Sequence, residues 1–218
     1  MKIFIDTASL NEIHEANDLG ILDGVTTNPS LMAKEGIKGI DNIYAHYLKI
    51  CETVDGDISA EVIATDYEGM MREARILAAI HQNIVVKIPL IPAGIKAIHS
   101  LSLEGIRTNC TLNFSAGQAI LAAKAGATYI SPFVGRIDDI NWDGVALIEQ
   151  ISRIYAIQDF DTEVLAASIR NPMHIVQCAE AGADVVTCPL STIMGLFKHP
   201  LTDLGLERFL ADYHKSQA

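Results

Sequence analysis

Short β-branched runs alternate along the chain with segments whose apolar residues fall at helical spacing. Eight such runs are present: KIFID at 2–6, DGVTT at 23–27, ISAEVI at 58–63, NIVVKI at 83–88, RTNCTL at 107–112, TYISPFV at 128–134, TEVLAAS at 162–168 and DVVTCP at 184–189. Between them the apolar spacing changes to three and four, as in EGMMREARILAAI at 68–80 and IKAIHSLSLEG at 95–105, which predicts helices with one buried face. AAKAGATYI at 122–130 and CAEAGADVV at 178–186 repeat one device, a helix closed by a glycine C-cap and followed at once by a strand. Eight strand–helix units of about 27 residues each predict an α/β fold, a (β/α)8 TIM barrel forming one domain over 1–218. LTDLGLERFLADYHKS is left over as an extra C-terminal helix at about 202–215. A doubly wound open sheet is the competing arrangement, but neither a GxGxxG nor a GxxxxGK loop supports it.

Composition narrows the partners. Half of the 218 residues are hydrophobic and 20% are charged, enough for a sizeable core. A net charge of −11 and a pI near 4.9 repel nucleic acid and anionic membranes, so neither is expected, and an anionic substrate would need local arginines. Cys51, Cys110, Cys178 and Cys188 lack CxxC spacing and sit in apolar contexts, which predicts buried free thiols of a reducing cytoplasm. The seven histidines show no ligand spacing such as HExxH, so no metal is expected. MKIFIDTASL has too short an apolar run for a signal-peptide core, and no later run reaches membrane-spanning length. A soluble, unprocessed cytoplasmic chain is the expectation.

In a barrel of this kind chemistry gathers at the C-terminal ends of the strands. Asp6 ends the first run, Thr27 and Asn28 close the second, Glu61 lies in the third and Lys87 in the fourth. Asn109 and Thr111 lie in the fifth, Ser131 and Arg136 in or after the sixth, and Ser168 and Arg170 at the seventh. Taken singly, most have a structural explanation: Asp6, Asn28 and Ser168 as caps, Thr111 as a strand residue, the arginines as solvated ends. Lys87 and Glu61 are harder to place, because a buried charge costs several kcal/mol unless it is paired or used. They form a buried ion pair, or the lysine is a nucleophile. A desolvated amine is partly neutral near pH 7 and can attack a ketone to give a Schiff base. The iminium then accepts the electrons left when a neighbouring carbon–carbon bond of a sugar breaks, the task a metal ion performs in metal-dependent aldolases.

Four separated motifs, GVTTNPSLM at 24–32, VVKIP at 85–89, SPFVGRIDD at 131–139 and AASIRNP at 166–172, occur in an order that resembles the transaldolase family, in its short microbial branch. The resemblance covers essentially the whole chain. It implies a barrel working without a cofactor that transfers a dihydroxyacetone unit from sedoheptulose 7-phosphate or fructose 6-phosphate to erythrose 4-phosphate or glyceraldehyde 3-phosphate, in the pentose phosphate pathway. By the same resemblance Lys87 is the Schiff-base lysine, Asp6 moves the proton of the C4 hydroxyl, and Glu61 acts through a water held by Thr111. Asn28 and Asn109 hold donor hydroxyls, Ser168, Arg170 and Arg136 hold the phosphate, and Thr27, Ser131 and Phe133 complete the substrate-binding set. Short relatives also assemble as pentamers or decamers, so a homo-oligomer is implied, with the helix at 202–215 packing on a neighbour.

One departure and one fork accompany the resemblance. Where the family has Ser or Thr two residues past the KIP proline, this chain has Ile91, which cannot accept a helix-capping bond. Related fructose 6-phosphate aldolases release free dihydroxyacetone, and carry glutamine and tyrosine where this chain has Glu61 and Phe133. Outside this pair of activities stand a barrel using Lys87 to hold pyridoxal phosphate and a non-catalytic sugar-phosphate sensor.

Overall fold

A computed structural model describes residues 1–217 and shows eight parallel strands in sequential order closing into a barrel. The strands are β1 (Lys2–Asp6), β2 (Gly24–Thr26), β3 (Asp57–Glu61), β4 (Ile84–Pro89), β5 (Thr108–Asn113), β6 (Tyr129–Pro132), β7 (Glu163–Ala166) and β8 (Val185–Cys188). Around them run α1 (Leu10–Asp18), α2 (Pro29–Lys34), α3 (Ile40–Thr53), α4 (Tyr67–Ala78), α5 (Pro92–Leu103) and α6 (Ala116–Lys124). They continue as α7 (Val134–Asp138), α8 (Gly144–Gln158), α9 (Pro172–Glu180), α10 (Leu190–Gly195) and α11 (Pro200–Ser216). Each of the eight expected runs overlaps a strand, with β3, β4 and β5 extending one residue outside theirs, and α11 covers the expected terminal helix.

Several boundaries move for local reasons. TYISPFV is a strand only to Pro132: one more parallel bridge joins Phe133 to Ala167, and α7 then begins at Val134, with Gly135 N–H bonding the Ser168 carbonyl at 3.0 Å. The approach is so close that a Cβ on Gly135 would lie 2.3 Å from the Ser168 oxygen, and Ser168 itself takes the left-handed region at φ 59°. TEVLAAS stops at Ala166 for the same reason. The glycines after α6 and α9, Gly126 and Gly182, sit at φ 87° and 85°, one residue beyond the cap, where the chain turns into the next strand. The short helices α2, α7 and α10, of six, five and six residues, have too few turns to register in the apolar spacing.

Alternation along the strands divides the interior into three levels. At the N-terminal end Lys2 pairs with Glu163 at 2.8 Å and Arg107 with Asp57 at 2.6 Å, while the Tyr129 hydroxyl donates to Asp57 at 2.8 Å. Above this plug Phe4, Val85, Tyr129, Leu165 and Val185 form an apolar layer. Two residues further along the same faces come Asp6, Lys87, Ser131 and Thr187. A separate, larger core fills the space between strands and helices. The four cysteines are free and buried, as expected, and burial raises Cys110, Cys178 and Cys188 to about 12 and Cys51 to about 11, which keeps them protonated. Among the described residues no helix is long and apolar enough to cross a membrane.

Ile91 is the N-cap of α5 and makes no capping bond, with Pro92 following it. It also packs against the outer core, a role the sequence pattern did not reveal. A change to Thr would gain a cap and lose apolar contact, two effects of similar size, so Ile91→Thr should stay within about 0.5 kcal/mol of wild type. Asp66, whose carboxylate accepts from Gly69 N–H at 2.9 Å, caps α4. Asp66→Ala should cost about 1 kcal/mol. Urea unfolding of both variants checks this; a gain above 1 kcal/mol for Ile91→Thr would mean that the apolar contact contributes little.

Candidate active site

The β3–β4 register places Glu61 directly beside Lys87, and the β4–β5 register places Asn109 on the other side. Residues paired in this way point the same way, so the three side chains enter the barrel together at its C-terminal end. Lys87 is only 5% exposed. Its Nζ lies 3.3 Å from Glu61 Oε2 and donates to the Thr27 carbonyl at 3.2 Å. The ion pair considered from the sequence is therefore present, but it borders open space on two sides.

An inner chamber of about 110 Å³ is lined by Asp6, Thr26, Asn28, Lys87, Ser131, Phe133, Arg136, Ala167, Ser168 and Thr187. An outer recess of about 410 Å³ is lined by Asn28, Lys87, Phe133 and Arg136 again, with Glu61, Thr111, Leu112, Pro29, Ser30, Leu31 and Lys34. Lys87 is thus shared by both. Asp6 sits on the inner side, where Thr26 donates to its Oδ1 at 2.7 Å; Thr187, 2.6 Å from the Thr26 oxygen, is left to donate to Thr26. Burial raises the Asp6 pKa, opposed by the Lys87 charge and the Thr26 hydrogen bond. The Thr111 hydroxyl, buried and lining the outer recess with Glu61, has no hydrogen-bond partner among the described residues.

Asn28 serves two ends at once. Its Oδ1 accepts from Leu31 N–H at 3.0 Å as the N-cap of α2, which leaves its amide nitrogen free to face the chambers. Arg136, on α7, lies with its guanidinium carbon 4.7 Å from the centre of the Phe133 ring. Phe133 in turn meets Phe114 edge to face at 5.6 Å.

Three expected site residues lie outside both chambers. Thr27 is fully buried, its carbonyl holding Lys87 and its hydroxyl bonding the Ser59 carbonyl at 3.0 Å; one position past Thr26, it points away from the barrel axis. Asn109 is also fully buried, donating to Ser59 Oγ at 3.1 Å and accepting from Ser131 Oγ at 2.7 Å, so it ties β5 to β6 and, across β4, to β3. Arg170 is half-exposed and ion-paired with Asp139 at 2.7 Å. Thr26, Thr187 and Lys34, by contrast, line the chambers without having been singled out. For the two threonines strand parity carried the signal, since Thr187 follows Val185 and Thr26 follows Gly24 on the inward face.

Residues 3–218 match the transaldolase/fructose-6-phosphate aldolase family. The chain is 70% identical over 215 residues to a protein of Phocaeicola vulgatus named "Probable transaldolase", with 99% of each chain covered. Proteins of the same name from Parabacteroides distasonis and Cytophaga hutchinsonii are 69% and 67% identical over the same length, again with 99% of each chain covered. The chain belongs to the transaldolase/fructose-6-phosphate aldolase family.

Proposed function

We propose that the protein is a transaldolase that moves a dihydroxyacetone unit between phosphorylated sugars through a Schiff base on Lys87. The observation that carries this reading is one amine facing a chamber with two carboxylates around it: Glu61 at 3.3 Å on the outer side, and Asp6 on the inner side. An ion pair of purely structural purpose has no need of open space on both flanks. The sugar-phosphate class of substrate follows from the family, and the individual donor and acceptor are those named from the sequence.

In the proposed reaction the Lys87 amine attacks the C2 ketone of the donor, and the carbinolamine loses water to give an iminium. Glu61 passes the required protons through a water for which the unpartnered Thr111 hydroxyl is suited. Asp6 then takes the C4 hydroxyl proton. The C3–C4 electron pair moves into the iminium, leaving an enamine on Lys87 and an aldose phosphate that departs. The enamine carbon next attacks the acceptor aldehyde, Asp6 returns its proton to the new hydroxyl, and hydrolysis frees the product. The raised proton affinity of Asp6 suits a group that must hold that proton between the two half-reactions. Asn28 is placed to hold a donor hydroxyl, and Arg136 with Ser168 to hold the phosphate.

The free thiols fit a cytoplasmic protein. A homo-oligomer, pentameric or decameric, is supported by α11, where Leu201, Leu206, Phe209, Leu210 and Tyr213 are all more than half exposed and no residue is buried.

Three measurements test this reading. Borohydride with fructose 6-phosphate should inactivate the protein and leave a reduced three-carbon adduct on the peptide containing Lys87, whereas Lys87→Met should fold and show no turnover. An adduct elsewhere, or near-normal activity in the variant, rejects the mechanism. Arg136→Ala should lower kcat/KM for phosphorylated donors by the equivalent of about 1.5–3 kcal/mol, with little effect on unphosphorylated dihydroxyacetone. Arg170→Ala should do less, since Asp139 already holds that guanidinium away from the chamber. Equal losses on both substrate classes would remove Arg136 from the phosphate site.

The third concerns the fate of the enamine. Phe133 borders both chambers and has no hydroxyl to orient a water at the enamine carbon. Phe133→Tyr should raise release of free dihydroxyacetone and lower transfer, and Glu61→Gln should push the same way, because an amide holds water but cannot cycle a proton. The ratio of transfer to release is the quantity to measure. A wild type that releases dihydroxyacetone as fast as it transfers it would be an aldolase.

A further inference from the structure

The ladder between β2 and β3 ends in an unusual exchange of partners. Thr26 pairs with Ser59, and Thr27 N–H extends the pattern by donating to the Ser59 carbonyl at 3.2 Å. The next bond of a parallel register would run from Glu61 N–H to the Thr27 carbonyl. Here the Thr27 carbonyl accepts instead from Lys87 Nζ at 3.2 Å. The Tyr47 oxygen is also 3.1 Å from the Thr27 hydroxyl, which donates toward it and toward the Ser59 carbonyl at 3.0 Å.

Tyr47 arrives from α3, outside the barrel, and is 2% exposed. It lines neither the inner chamber nor the outer recess. A phenol oxygen buried to that degree must find a partner, and here it is the hydroxyl of the residue whose carbonyl holds the lysine nitrogen. Burial raises its pKa, opposed in part by the Thr27 hydroxyl, so it stays a neutral phenol and works by geometry.

We infer that Tyr47 is a positioning residue for Lys87: its phenol oxygen, 3.1 Å from the Thr27 hydroxyl, fixes the end of β2 whose carbonyl orients the lysine nitrogen at 3.2 Å. This rests on the reading of Lys87 as the Schiff-base residue. Removal of the phenol oxygen leaves the Thr27 hydroxyl with the Ser59 carbonyl alone and loosens the strand end that presents the Thr27 carbonyl to the amine.

Tyr47→Phe keeps the ring and deletes the oxygen. The rate at which borohydride traps the Lys87 adduct from fructose 6-phosphate should fall together with kcat by about tenfold, the scale of one neutral hydrogen bond, while KM stays within about twofold. The pH profile should keep its shape, because a neutral phenol contributes no limb to it. Thr27→Val removes the other end of the link and keeps the carbonyl, so it should slow trapping as well, and the double variant should lose no more than the larger single loss. Absence of any Lys87 adduct in the wild type would overturn the Schiff-base reading itself. Trapping in the wild type with unchanged trapping and kcat in Tyr47→Phe or in Thr27→Val would overturn only the positioning role. So would losses that simply track a fall in Tm or a rise in KM, since these are what a packing role alone predicts.

Discussion

An amine inside a closed barrel must be answered by groups a few ångströms away, because water cannot do it. Everything around Lys87 follows from that constraint. The Glu61–Lys87 register supplies the countercharge from the adjacent strand, and the end of β2 supplies a carbonyl. Asp6 adds a second carboxylate from the inner side, with burial and the lysine charge acting on it in opposite senses. The cost of such a cluster would be hard to sustain in a sealed core. Here each of the three charged groups borders a chamber, so none is sealed on every side.

Stability and chemistry are kept at opposite ends of the same eight strands. The N-terminal end is closed by Lys2–Glu163, Arg107–Asp57 and the Tyr129 hydroxyl on Asp57, charges that satisfy one another. The apolar layer of Phe4, Val85, Leu165 and Val185 separates that plug from the polar level above it. Two residues along each strand are enough to cross from one regime to the other, since Phe4 and Asp6, Val85 and Lys87, and Val185 and Thr187 share a face. Polar residues at the upper level can therefore be chosen for reactivity, because the layer below them carries the packing.

The barrel was legible because its strands are buried on both faces and read as unbroken β-branched runs, while its helices keep a polar side. Lys87 stood out for the same reason, as one charge in such a run. What the sequence withheld depended on depth and parity. Thr27 and Asn109 belong to motif-like stretches yet are covered by neighbouring strands, whereas Thr26 and Thr187, ordinary strand residues by composition, reach the chamber. Arg170 illustrates a different limit: its charge was visible, but the Asp139 carboxylate that claims it lies across a loop whose course depends on Gly135 and on the left-handed Ser168. Tyr47 lies on the buried face of α3, and only its contact with Thr27 at the end of β2 gives its oxygen a purpose.

Phe133 is where the electrostatic and the protective demands of the proposed reaction meet. The protein carries an excess of acidic residues and is nonetheless proposed to hold phosphorylated sugars, so the cation that faces the chamber must be kept from wandering toward surface carboxylates. Arg170 shows what happens otherwise, held by Asp139. Arg136 lies over the Phe133 ring, an interaction that orients the guanidinium without neutralising it and leaves its donors available to an anion. The same ring, braced by Phe114, forms an apolar wall of both chambers beside Lys87. A phosphate drawn to Arg136 therefore seats its sugar against a surface that offers no hydrogen bond to water. On the proposed mechanism, attraction of the substrate and shelter of the enamine are two consequences of one aromatic side chain.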